Sequence, residues 1–181
     1  MKSFIKTICF SFLFALAFVS CKDENSIQNY FVDHQDKPEF LTIDFAPDMF
    51  DLSEVEFSED QKNIYKSFEK VNVLAYKVTG DNKEDYDAEL NKVVTIFKND
   101  KYEELMEFSD NGMKFRVNTM GAEDSVDEFL VLASSSDLGF AIIRVLGDNM
   151  QPEKLYQLIS EMQKSDVDGN QLQKVMDYFR E

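Results

Sequence analysis

Nucleophilic or metal chemistry needs a base, a nucleophile or a ligand cluster, and this chain is poor in all three. His34 is its one histidine, and Cys9 and Cys21 are its two cysteines. A Ser, Thr or Cys nucleophile is ordinarily activated by an adjacent base, most often His. His34 sits beside Gln35-Asp36 at the end of an expected short helix, where an imidazole simply complements the helix dipole. Zinc sites of the common type lack their ligands. Carboxylates are plentiful, with 35 Asp and Glu against 19 Lys and Arg. Two of them could perform acid/base or glycosidic chemistry, but amid such abundance no particular pair stands out. Asp48, Asp51, Glu54, Glu56, Glu59 and Asp60 read as a solvated acidic loop rather than a metal cluster.

One spacing approaches a cation loop. Asp166-Val167-Asp168-Gly169-Asn170 supplies oxygens at positions 1, 3 and 5 of a calcium-binding EF-hand, and Asp177 falls at position 12. The match fails at position 6, where Gln171 replaces the glycine of the sharp turn, and at position 12, where Asp is shorter than the usual bidentate Glu. An Asp-Gly turn between helices is the simpler reading. Gly112, Gly121, Gly139 and Gly147 stand singly, so no phosphate-cradling loop is formed. The residues thus assign no catalytic group, metal or cofactor, and the expectation is a protein that is not an enzyme.

Cys21 is different, because its surroundings give it a specific chemical role. Lys2 and Lys6 precede an apolar run from Ile8 to Val19, and the chain becomes charged at Lys22-Asp23-Glu24. That run, about twelve residues, is short of the roughly twenty a permanent membrane span needs, and the anatomy is that of a signal peptide over residues 1–20. Phe18-Val19-Ser20-Cys21 resembles a lipobox, in which small residues before the cysteine admit the peptidase and the thiol is lipidated. The other interpretation is ordinary cleavage after Ala15-Leu16-Ala17, leaving a lone thiol. Lys22, Asp23 and Glu24 resemble the lysine-plus-two-acids export signal of surface lipoproteins, although three charged residues also make a plain solvated tether. Residues 21–25 then form the lipidated cysteine and tether, which at ~3.5 Å per extended residue holds the following domain within ~20 Å of the bilayer.

Composition bounds the partners. Loss of Lys2 and Lys6 with the signal takes the formal charge from -16 to -18. That excess repels nucleic-acid phosphates and anionic headgroups alike, so nucleic acid is excluded as a partner and the acyl chains must do the holding. With Cys9 removed and Cys21 acylated, no thiol remains for a disulfide, and stability must come from packing of the many Phe and Tyr.

Residues 26–181 have the length of a single domain. Ser26 caps a short helix carrying Ile27, Tyr30 and Phe31 on one face. Phe40 to Phe45 reads as a strand. Ser58-Glu59-Asp60-Gln61 is a capping box, followed on one helical face by Ile64, Tyr65 and Phe68. Val71 to Val78 is a strand, and Lys83 to Phe97 a helix with Tyr86, Leu90, Val93, Val94 and Phe97 as its stripe. Leu105 to Ser109 and Met113 to Met120 flank Asp110-Asn111-Gly112, which suits a tight hairpin. Phe129 to Ala133 and Leu138 to Leu146 are two more strands across a polar Ser134-Ser135-Ser136-Asp137 link. Leu155, Leu158, Ile159 and Met162, then Leu172, Val175, Met176 and Phe179, mark two closing helices. The expected fold class is α+β: a mostly antiparallel sheet with a βαβα start and a four-stranded meander, covered on one face by helices, with two C-terminal helices.

Along nearly the whole of that domain the chain resembles domain of unknown function family 4252, small lipoproteins of Bacteroidetes-type bacteria. The correspondence lies in Tyr102-Glu103-Glu104-Leu105-Met106-Glu107, Asp110-Asn111-Gly112 and Lys114-Phe115-Arg116-Val117. It continues in Glu128-Phe129-Leu130-Val131-Leu132, in Ile142-Ile143-Arg144-Val145-Leu146-Gly147 and in the helix at Leu155 to Met162. The resemblance implies an address in the envelope and carries over no catalytic residue. The expectation is a non-catalytic binding module, lipid-anchored at the outer membrane and facing the cell surface rather than the periplasm. Its partners would be the membrane, through acyl chains on Cys21, and an envelope protein or glycan met through the sheet's open face or the acidic loop. An envelope hydrolase using paired carboxylates and a signalling or stress-linked sensor are the alternatives.

Overall fold

The computed structural model describes residues 25–46, 58–122, 124–153 and 177–180. Helix α1 (Ile27–His34) leads to strand β1 (Phe40–Phe45), followed by α2 (Glu59–Ser67), β2 (Phe68–Lys77) and α3 (Lys83–Phe97). Four strands come next: β3 (Glu103–Asp110), β4 (Met113–Ala122), β5 (Ser125–Ser135) and β6 (Gly139–Met150). All six strands form one sheet in the order β1-β2-β6-β5-β4-β3, with every neighbouring pair antiparallel. The fold is α+β, as expected.

Helices α1 and α3 share a hydrophobic core with one face of the sheet. Alternation along the strands sends Leu74 and Tyr76, Leu130 and Leu132, and Phe140 and Ile142 to that face. There they meet Ile27, Tyr30 and Phe31 of α1 and Tyr86, Val93, Ile96 and Phe97 of α3. The rings of Tyr76 and Phe140 stack at 5.6 Å, and Phe40 meets Tyr76 edge-on at 4.9 Å. The opposite face holds a smaller cluster of Val126, Phe129 and Met150, with Phe68, Val117 and Val145 against it. Among the described residues the aromatic side chains are therefore largely core.

Local chemistry fixes the ends of these elements. Ser26 is extended, and its hydroxyl oxygen accepts a hydrogen bond from the Asn29 amide at 3.2 Å. Replacing Ser26 with alanine removes this cap and should cost about 1 kcal/mol, read as a lowered midpoint in thermal unfolding with the fold retained. Asn82 precedes α3 without capping it through its side chain. It closes the preceding turn instead, accepting from the Thr79 amide at 2.7 Å and donating to the Lys77 carbonyl at 2.9 Å. Asn111 and Gly112 take φ of +48° and +79°, the paired positive values of a tight hairpin, and so join β3 to β4. Gly139 must be glycine for another reason: a Cβ there would sit 2.0 Å from the Tyr76 carbonyl oxygen, where β6 starts against β2. Tyr178 ties the chain's end to the sheet, its hydroxyl donating to the Glu39 carbonyl at 2.9 Å and accepting from the Lys77 amide at 3.3 Å.

Several expected boundaries move. The helix expected to carry Phe68 on its face stops at Ser67, and β2 starts at Phe68 rather than Val71, because the sheet offers that backbone a partner in β6. Ser134 and Ser135 belong to β5, paired with Phe140 and Gly139, so the polar link shortens to residues 136–138. Strand β6 runs on to Met150. Residues 152–153 and 177–180 are helical, and the remainder of the two expected closing helices lies outside the described residues. No helix among the described residues is long and apolar enough to cross a membrane.

Candidate functional site

Arg144 interrupts the apolar run of β6, and Glu128 opens that of β5. The structure puts both under α1 on the helix-covered face. Glu128 is 1% exposed and Arg144 8%. Their groups meet as a fork, Nε to Oε1 at 2.8 Å and Nη2 to Oε2 at 3.2 Å, while Nη1 donates to Gln28 Oε1 on α1. Removing these charges from water is costly, and two parallel charge-assisted hydrogen bonds offset that cost. Each guanidinium nitrogen is engaged by a protein oxygen, so the group fastens α1 to the sheet rather than facing a ligand. Asn118 does similar work at the other helix, donating from Nδ2 to the Phe97 carbonyl at 2.9 Å where α3 ends.

A second polar cluster joins α1 to α3. His34, in the last turn of α1, is buried rather than merely placed at the helix terminus. Its Nδ1 lies 2.7 Å from the Tyr30 carbonyl, an oxygen that only accepts, so this nitrogen carries the proton. Its Nε2 is 3.2 Å from Glu89 Oε2, not aligned as a hydrogen bond, and the contact is an ion pair only when this nitrogen is protonated as well. The Tyr30 hydroxyl donates to the same Oε2 at 2.9 Å, and Lys92 Nζ reaches Oε1 at 2.7 Å. The imidazole stacks on the Tyr30 ring at 4.1 Å and meets Phe40 edge-on at 4.8 Å.

Burial works against the charge on Glu89. The hydrogen bonds from Lys92 and Tyr30, with the charges of His34 and Lys92, outweigh it and hold this carboxyl below the usual carboxylate range. Burial, reinforced by the adjoining Glu89 carboxylate, raises the Tyr30 hydroxyl far above its ordinary value, so it remains a donor. An open groove of about 540 Å³ runs alongside, lined by Tyr30, Asp33, His34, Asn91, Lys92 and Thr95 among others. Tyrosine, carboxylate and imidazole are a combination that can relay protons. Here both Glu89 oxygens already have partners within the protein, and the arrangement serves as a clasp between the helices.

Of the residues singled out from the sequence, Cys21, Lys22, Asp23 and Glu24 lie outside the described residues, as do Asp48, Asp51, Glu54 and Glu56. Glu59 pairs with Lys62 at 2.8 Å on α2. Residues 166–170 lie outside the described residues, and Asp177 sits 3.7 Å from Arg180 in a helical-spacing pair. Among the described residues no three His, Cys, Asp or Glu side chains converge to hold a metal ion. The sequence reading passed over Glu128, Arg144 and Glu89. For the first two a signal was present, since a charge within or bordering an apolar strand run requires a buried partner.

No curated protein and no solved structure matches the chain significantly. The family described as Domain of unknown function (DUF4252) matches residues 30–158, from within α1 past the end of β6. By that match, which covers well over half of its length, the chain belongs to this family.

Proposed function

We propose that this chain is a non-catalytic interaction module of the cell envelope, anchored to the outer membrane by acyl chains on Cys21 and displayed at the cell surface. The observation that carries the reading is the junction at Cys21: an apolar run, the small residue Ser20, the cysteine, then Lys22-Asp23-Glu24 without an intervening segment. A formal charge of -16 over the chain supports acyl chains rather than electrostatics as the means of holding an anionic bilayer. The engagement of Arg144 by Glu128 and Gln28, and of the half-buried Glu89 by Tyr30 and Lys92, supports structural roles for these conspicuous polar groups. The partner is an envelope protein or glycan.

The test is fractionation of cells expressing the wild type or Cys21→Ala, with protease added to intact cells. The wild type should sediment with outer membranes and be degraded by external protease, whereas Cys21→Ala should lose its membrane association. An equal membrane share for both proteins would remove the anchor, and full protection from protease would turn the domain toward the periplasm.

A further inference from the structure

Strand β3 closes one end of the sheet, and its outer edge lacks a strand partner among the described residues. All eight of its residues are exposed. The strand at the other end, β1, differs in having Leu41, Thr42 and Ile43 half-buried. An open edge leaves backbone N–H and C=O groups that can pair with another extended chain. Five large apolar residues of the described structure are exposed, namely Val32, Leu105, Met106, Phe108 and Leu138, and three of them are on β3. Phe108 is held in place by stacking on Phe115 of β4 at 4.9 Å.

The charge on this edge has one sign. Glu103, Glu104, Glu107 and Asp110 lie on β3, which contains no Lys or Arg. Arg116 of β4 draws in Glu104 at 3.4 Å and also pairs with Glu107. That leaves Glu103 and Asp110, at the two ends of the strand, without a cation partner among the described residues. A second copy of the chain is a poor occupant: the fully overlapped antiparallel register would set Glu103 opposite Asp110, and a parallel pairing in register would stack all four carboxylates. A strand carrying lysine or arginine at those places reverses the sign of the interaction.

We propose that β3 is a docking strand, on whose open edge an extended, basic segment of a partner protein adds as a further strand, its apolar side chains meeting Met106 and Phe108. The proposal rests on the reading of the chain as an interaction module and gives that module its partner class and its place of contact. Backbone pairing supplies affinity, and the carboxylates at both ends of β3 select for positive charge.

The experiment uses the full-length chain and a short end-blocked peptide, with hydrogen exchange and fluorescence anisotropy as readouts. The peptide has valine at the places facing Met106 and Phe108 and lysine at those facing Glu103 and Asp110, all four being on one face of the strand. The peptide should slow amide exchange within residues 103–110. A peptide with alternate backbone nitrogens methylated keeps the charge but cannot complete the ladder, and it should bind at least about tenfold more weakly. Glu103→Lys combined with Asp110→Lys should weaken the unmethylated peptide by a similar factor, and a glutamate–valine peptide should not bind. Equal binding of the methylated peptide, or protection elsewhere in the chain, would overturn the proposal. So would a dimer through β3 that the peptide does not displace. These results leave the anchoring test at Cys21 unaffected, so the two readings fail separately.

Discussion

Glu128→Leu is expected to lower the free energy of unfolding by about 3–5 kcal/mol, because it leaves the Arg144 guanidinium buried without its counter-charge. Gln28 Oε1 would remain as a neutral acceptor for Nη1, which does not replace a carboxylate gripping two other nitrogens. Arg144→Met strands Glu128, the more deeply buried partner, and should cost at least as much. Glu128→Leu combined with Arg144→Met should recover most of the loss, since apolar side chains of similar volume replace a buried ion pair with little or no penalty. Urea unfolding of the four proteins gives the coupling directly. If Glu128→Leu costs less than about 1 kcal/mol, water reaches Arg144 and the fork does not fasten α1.

The sequence revealed most where one element declares itself locally. Ser26 with Ile27, Tyr30 and Phe31 marks α1, and Asp110-Asn111-Gly112 marks its hairpin, because a cap, a stripe or a positive φ is decided within a few residues. The charged core was less legible, since Arg144 is neutralised by Glu128 of another strand and hydrogen-bonded by Gln28 of a helix far along the chain, and their meeting depends on register. Strand lengths failed for a related reason. Phe68, Ser134 and Ser135 enter strands because a neighbouring strand offers their backbone hydrogen bonds, and this tertiary term overrides the local preference of serine for a turn. His34 fell between these cases. Its place at a helix end was readable, but its burial against Glu89 required knowing that α3 packs beside α1.

That contact yields a pH dependence. The Glu89 carboxyl is held below its ordinary range in the folded protein, so on acidification the unfolded chain binds this proton first. The contribution of Glu89 is therefore complete above about pH 5 and is lost progressively as pH falls through its folded value. Glu89→Gln keeps the shape but not the charge, and it should reduce stability near neutral pH by about 1–2 kcal/mol, given a partly open groove on one side. The difference between wild type and Glu89→Gln should be largest above about pH 5 and shrink as the pH falls through the folded value of the carboxyl. Denaturant midpoints across that range measure it, and a gap undiminished at the acid end would show that Glu89 is not the carboxyl holding the clasp. Tyr30→Phe separates the two contributors: it removes one hydrogen bond to Oε2 while Lys92 stays on Oε1, so the carboxyl should move back toward its ordinary range. The Glu89 contribution should then be smaller, and its decline, which still starts near the unfolded value, should be complete at a higher pH than in the wild type.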